Sequence, residues 1–329
     1  MPIVVNSNVS ATEASFNLSR ASDSLRKSLA RLSSGKRINS PADDAGGLAV
    51  AYKLNSKLKR TEAVIQNSQN ALSYLQVQDA SLQTVGKVLD RMAELRTMAA
   101  DITKNSGDIE NYSKEFIELQ SQLNQIHKET FNGISLFGAT DSAGVTGELQ
   151  KGEGTYLDAS GSTVTFSTFS RELITHPDGQ TGSGSISLNV VNLQFVLSVG
   201  NITNGTSNAA KLGLDLGNID GNQTTSLGTT TGGYINNILN VDIAQFINAI
   251  EKLADVRAEN GAEQNRIMNS IDLLQTNMTN LEAAHGRIMD ADIALESTRF
   301  ARHNVLVQAS AAMTAQANQL TNVALQLLG

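Results

Sequence analysis

"LNSKLKRTEAVIQNSQNALSYLQVQDASLQTVGKVL", Leu54 to Leu89, is the stretch whose spacing decides the fold. Leu54, Leu58, Thr61, Ile65, Ser68, Leu72, Leu75, Asp79, Leu82, Gly86 and Leu89 follow one another in alternating steps of four and three. An α-helix completes a turn in about 3.6 residues, so such steps keep the row on one face and require a partner helix along it. Thr61, Ser68 and Asp79 interrupt the apolar row. That predicts a rope-like bundle rather than a purely apolar two-stranded zipper.

The spacing recurs in both directions from this stretch. Leu18, Ala21, Leu25, Leu29 and Leu32 carry it upstream; Ile109, Tyr112, Phe116, Leu119, Leu123 and Ile126 carry it downstream. Near the other chain end it returns in Ile267, Ile271, Leu274, Met278, Leu281, His285 and Ile288. Residues from about 10 to 130 and from about 240 to 328 therefore read as helix. Residues 140–235 hold 16 of the 26 glycines, with much Ser, Thr and Asn and little charge, which excludes a regular helix there. Within them "SISLNVVNLQFVLSV" from Ser185 reads as strand, and "HPDG" from His176 as a turn. "FNG" from Phe131 reads as the end of a helix, with glycine supplying a positive φ. The expected fold class is mainly α: a long coiled-coil helical rod from both chain ends with a small β-rich central insert.

Composition narrows the function. The 329 residues suffice for two or three domains. Apolar residues make up 40% of the chain but aromatics only 4%, so the core must consist mostly of Leu, Ile, Val and Ala, as in packed helices. A formal charge of −7 argues against a nucleic-acid partner, whose phosphates need clustered Lys and Arg. With no cysteine there is no disulfide, thiolate nucleophile or Cys-ligated metal, and the redox compartment stays open. "MPIVVNSNVSATEASF" has no basic region followed by a long apolar run, so a Sec-type signal is not expected. Membrane insertion is not expected either, because no window carries the ~18 uninterrupted apolar residues of a span.

Nor does an enzyme emerge. His127 and His285 lie on helical patterns with no second histidine four residues on, and His176 sits in a turn before Pro177. HExxH and GxSxG are both absent. "DAD" from Asp290 reads as a helix N-cap, and "GSGSIS" from Gly182 lacks the lysine of a phosphate loop. No cofactor or metal is expected. Asn201-Ile-Thr203 and Asn204-Gly-Thr206 fit the N-glycosylation pattern.

Two segments point to assembly instead. From Asn304 to the last residue the chain carries no charge, although Phe300, Val307, Ala311, Thr314, Ala317, Leu320, Ala324 and Leu327 lie near one helical face. A lone solvated helix usually has a charged outer face, so this one reads as surrounded by copies of itself and paired with the segment bearing Leu18, Leu25 and Leu32. Neither segment buries enough alone, and both are expected to order on assembly. "RLSSGKRINSPADDAGGLAV" from Arg31 breaks the helical pattern at Gly35 and Pro41, and Asp43 and Asp44 suit the start of the next helix.

"LARLSSGKRINSPADDAGGLAVA" from Leu29 closely resembles the N-terminal signature of bacterial flagellin. "FNGISLF" from Phe131 is similar to that family's exit from its core helices. "NRIMNSIDLLQTNMTNLEAAHGRIMDADIALE" from Asn265 and "QASAAMTAQANQ" from Gln308 are similar to its C-terminal signature. The resemblance implies a structural subunit, exported unfolded through the flagellar type III channel. Outside the cell it would polymerise into the flagellar filament for swimming motility. It implies a terminal coiled-coil inner-core domain over 1–43 and 290–329 and a helical outer-shell domain over 44–139 and 237–289. The variable, surface-exposed insert would span 140–236. The alternative is a hook–filament junction (hook-associated) protein with the same terminal helices.

The resemblance also implies sites and partners. Arg31, Leu32, Gly35, Lys36, Arg37, Asn39, Pro41, Asp43 and Asp44 would form the spoke between inner and outer helices and set subunit register. Leu18, Leu25, Leu306, Leu320, Val323, Leu327 and Leu328 would pack the inner core. The C-terminal members of that set would be covered by a secretion chaperone before export. Arg91, Glu94 and Leu95 match a segment recognised by host receptors of the Toll-like class, with Ala93 standing where an arginine is common. Read from spacing alone, Arg91 and Glu94 are an i, i+3 pair at a subunit contact. The implied partners are other copies of the chain, the chaperone, filament cap and hook-associated proteins, and that receptor.

Overall fold

The computed structural model describes residues 8–138, 150–157, 163–179, 184–197 and 237–328. In chain order the described elements are α1 (Val9–Ser34), α2 (Ala45–Ala99), α3 (Ser106–His127), β1 (Thr130–Phe131), β2 (Ile134–Ser135), β3 (Gln150–Leu157), β4 (Thr163–Ile174), β5 (Ser185–Val190), α4 (Leu193–Leu197), α5 (Ile243–Met289) and α6 (Ile293–Leu328). The chain divides into two compact units, residues 1–59 with 276–329 and residues 60–275. The division falls inside α2 and α5, and strands β3 to β5 belong to the 60–275 unit.

In the 60–275 unit, α2, α3 and α5 form a three-helix bundle. α3 and α5 each run antiparallel to α2. Arg91 of α2 pairs with Glu115 of α3, and Asp79 of α2 with Arg257 of α5. The rings of Phe116 and Phe246 meet edge-on at 6.1 Å between α3 and α5. Leu75, Leu82 and Leu89 of the predicted row are fully buried, but Leu72, Asp79 and Gly86 are only half-buried. The row Val64, Ala71, Gln78, Val85, Met92 and Ala99, at steps of seven, is buried in their place. A helix facing two partners needs an apolar stripe wider than a two-stranded seam, and the centre of burial shifts accordingly.

α3 starts on a capping box, in which Asn105 and Asp108 each accept the other's backbone N–H. "FNG" differs from its expected role. α3 has already ended at His127, and Asn132 (φ 50°) with Gly133 (φ 76°) turns the hairpin between β1 and β2. Positive φ at both central residues gives the twist that a two-residue hairpin needs.

The insert contributes an antiparallel sheet in the order β3-β4-β5. "SISLNV" alternates as expected, with Ile186, Leu188 and Val190 buried. The rest of that apolar run departs from the strand expectation and turns into α4. One helical turn puts Leu193, Val196 and Leu197 on one side, where all three are fully buried; a strand would have turned some of them outward. "HPDG" makes its turn, Gly179 (φ 69°) donating its N–H to His176 O at 3.1 Å. Asn201 and Asn204 lie outside the described residues.

In the other unit α1 runs antiparallel to α6. Asn8 caps α1 and reaches Ala317 O with its amide (2.9 Å), while Lys36, just past the far end of α1, bridges Asp290. Both terminal segments, expected to order only on assembly, are helical here.

Candidate functional site

The loop after α1 is held by its own polar groups. Gly35 adopts the left-handed conformation (φ 69°) and donates to Arg31 O at 2.9 Å, ending α1. Its carbonyl accepts from Ala291 N (2.9 Å), and Arg37 N donates to Met289 O (2.6 Å). Two backbone bonds thus tie this loop to the loop between α5 and α6. Asn39 accepts from the Ser34 hydroxyl at 2.9 Å. Asp43 accepts the N–H groups of Asn39 and Ser40, closing the turn that holds exposed Pro41. Those two N–H bonds hold the Asp43 carboxyl below the usual 3.8, with the positive charges of Arg31 and Lys27 adding to the effect. Asp44 caps α2 through Gly47 N at 2.8 Å. Its ion pair with Arg37, at 3.9 Å between exposed groups, is weak. Asp292 of "DAD" caps α6 in the same way, accepting from Ala294 N and Leu295 N.

Ile38 anchors the loop. It is 2% exposed and packs with Ala51 and Met289, beside Leu48 and Ile288. A Cβ at Gly47 would run into the Asp44 carboxylate and lie 3.0 Å from Ile38, so the cap and the anchor share one close approach. Ile38 is not among the residues that spacing or motif marks in the sequence. A lone apolar residue in a polar run has no period, and its only signal was being the one apolar side chain between Ser33 and Ala42.

α1 and α6 share a narrow seam. Leu18, Leu25 and Leu32 are half-buried, and Ser28 is buried; on α6 the covered row is Glu296, Phe300, His303, Val307, Ser310, Thr314 and Ala317. Leu306 is outside that row and 46% exposed, so pairing of α1 with α6 does not pack it. Phe16, Leu29, Ile293, Val305 and Met313 are also exposed, the last two at 64%. The side chains of Leu320, Val323, Leu327 and Leu328 lie outside the described residues. Over α2, Arg91 bonds Glu115 (2.7 Å) and Glu94 (3.1 Å) in the open, while Leu95 is fully buried. Of that trio the structure leaves only Arg91 and Glu94 on the surface.

Comparison with known proteins agrees with this arrangement. The profile of the bacterial flagellin N-terminal helical region matches residues 5–142, and that of the C-terminal helical region matches residues 243–328. Polar flagellin F of Vibrio parahaemolyticus is 30% identical, with all of both chains covered. The chain belongs to the bacterial flagellin family. The flagellin of Bacillus subtilis is 29% identical over 98% of this chain and 99% of its own.

A solved hook-associated protein of Vibrio parahaemolyticus shares the fold, with a TM-score of 0.52 over 75% of this flagellin and 100% of its own chain. At 16% identity that likeness extends to architecture alone, whereas the full-length relatives are flagellins. The junction-protein alternative is therefore the less supported. Flagellins are structural proteins. Among the described residues no three His, Cys, Asp or Glu side chains gather where they could hold a metal ion, and no helix is long and apolar enough to cross a membrane.

Proposed function

We propose that this flagellin, a subunit of the flagellar filament, assembles by covering the exposed apolar side chains of its paired terminal helices with the same helices of neighbouring copies. The observation that carries this reading is the combination on α6: no charge from Asn304 onward, yet Val305, Leu306 and Met313 open to solvent. Apolar surface of this kind marks a contact site. Contacts between unlike patches that do not close on themselves extend into a filament. The experiment replaces Val305 and Met313 with Asp and follows seeded polymerisation by electron microscopy. Val305 lies outside the α1 seam, and Met313 sits 64% exposed at its edge, in a groove with Ser10, Glu13, Ala14 and Asn17, so helicity by circular dichroism stays at the wild-type level while filaments fail to grow. Filaments of normal length from the double variant refute the placement.

The remaining features fit around this reading. Export through the flagellar channel places the filament outside the cell, beneath a cap and beyond hook-associated proteins. A secretion chaperone covers the uncharged end of α6, with Leu320, Val323, Leu327 and Leu328 in its path, and so prevents premature association. The loop from Arg31 to Asp44 acts as the spoke and sets register between copies through Arg31, Lys36, Arg37 and Asp44. A host receptor of the Toll-like class would meet Arg91 and Glu94. Arg91→Ala is expected to lower the signal of purified monomer in a receptor-reporter assay, and an unchanged signal removes Arg91 from the contact.

A further inference from the structure

Asn189 of β5 hydrogen-bonds to two residues of α5. Asn189 donates its backbone N–H to both carboxylate oxygens of Glu263, at 3.0 and 3.1 Å, and its side-chain amide to Glu259 at 2.9 Å. Glu259 and Glu263 sit one helical turn apart, so two groups of like charge converge on a single neutral donor. Glu259 is exposed, whereas Glu263 is half-buried. The other groups that face Glu263 offer it little. Arg266, on the same helix, favours its ionised form. Tyr74 of α2 spends its hydroxyl on Ser135 O at 3.1 Å. Arg171 of β4 lies beside Tyr74, with Nε and Nη2 buried and without a hydrogen-bond partner among the described residues. One N–H shared by two oxygens is thin replacement for the water a carboxylate gives up on burial.

We propose that a proton on Glu263 latches the insert sheet to the helical bundle, and that its loss loosens the junction between β5 and α5. The electrostatics agree with the geometry. Burial, the largest influence, pushes Glu263 up to about 7; Asn189 and Arg266 oppose the shift and Glu259 adds to it. When the junction opens, the side chain returns to the ordinary value of 4.5. Opening then releases the proton, so it becomes easier as pH rises from 4.5 and levels off above about 7. The latch is tight in acid. This inference concerns the single chain and does not depend on how copies assemble.

Amide hydrogen exchange of the full-length monomer tests it, read on the peptide covering Ser185–Val190 and corrected for intrinsic exchange. Opening of β5 is expected to rise roughly tenfold or more between pH 5 and pH 7 and then to flatten. The amides of Phe131 to Ser135, in the β1–β2 hairpin, serve as the internal reference. Glu263→Gln keeps the shape and an acceptor but cannot ionise, so its β5 exchange becomes independent of pH. Glu259→Gln removes the repelling neighbour and moves the wild-type midpoint to lower pH. An unchanged pH slope in Glu263→Gln overturns the proposal, as does a flat profile in the wild-type chain. Should the Gln variant fold poorly, carbon-13 titration of the wild-type Glu263 carboxyl decides the matter, and a midpoint below pH 5 overturns the latch.

Discussion

Ile38 and Asp43 show how one side chain can fix a loop that composition marks as solvated. Ile38 is 2% exposed among Ala51, Met289, Leu48 and Ile288. Truncation to Ala leaves a cavity between the loop and the end of α5. The expected cost is about 3 kcal/mol, read as an earlier urea midpoint for the unit containing both chain ends. Asp43 acts through hydrogen bonds rather than packing. Its carboxyl titrates below the ordinary 3.8, so the turn is fully held above that value and weakens as pH falls through the lowered one. Exchange of the Asn39 and Ser40 amides should rise in that acid window and be insensitive to it in Asp43→Asn. The sequence made Gly35, Pro41, Asp43 and Asp44 legible because each punctuates backbone geometry in a known way. It hid Ile38 because burial of a single residue between polar neighbours depends on what the chain brings back from Met289, 251 positions away.

At the scale of elements, a chain of buried amides fixes how the bundle helices pair. Asn260 donates to Gln78 at 2.7 Å, Gln78 donates to Leu136 O at 2.9 Å, and Gln264 donates to Asn260 at 2.6 Å. Gln78 and Asn260 are both buried, and any slip of α5 along α2 would leave these amides unpaired. Asp79 and Arg257 repeat the constraint at the bundle edge with two bonds, of 2.9 and 3.3 Å. That pair is partly solvated, so a double-mutant cycle between Asp79→Ala and Arg257→Ala should give a coupling of no more than about 1 kcal/mol. Leu82→Ala, at a fully buried position, should cost about 3 kcal/mol in the same denaturation assay. The ratio of the two separates packing from pairing. Helix positions were legible because a seam repeated at three- and four-residue steps is a property of helix geometry itself. The width of the seam was not, since Val64, Gln78 and Met92 belong to it only because α2 meets both α3 and α5. The second half of "SISLNVVNLQFVLSV" was unreadable for another reason: a short unbroken apolar run fits a strand and a buried helical turn equally well.

For the whole molecule the consequence is a division of labour along α6. Up to Ala317 the helix is occupied within its own chain, since α1 covers one face and the Asn8 amide is bonded to Ala317 O. Beyond it stand twelve residues, from Asn318 to Gly329, with no charge and with Leu320, Val323, Leu325, Leu327 and Leu328. A chain ending at Ala317 therefore keeps the α1–α6 seam described here and loses only this tail. Its circular dichroism should fall in proportion to the helix removed, and the urea midpoint of the 60–275 unit should stay where it is. Filament growth on seeds, and capture by the secretion chaperone, should both be lost. If the shortened chain still polymerises, the contacts between copies lie on the exposed positions before Ala317, such as Val305 and Met313, and the tail serves export alone. If it fails to polymerise but still binds the chaperone, the two partners read different stretches of α6. Either separation would locate on one helix what the uncharged sequence after His303 presents as a single surface.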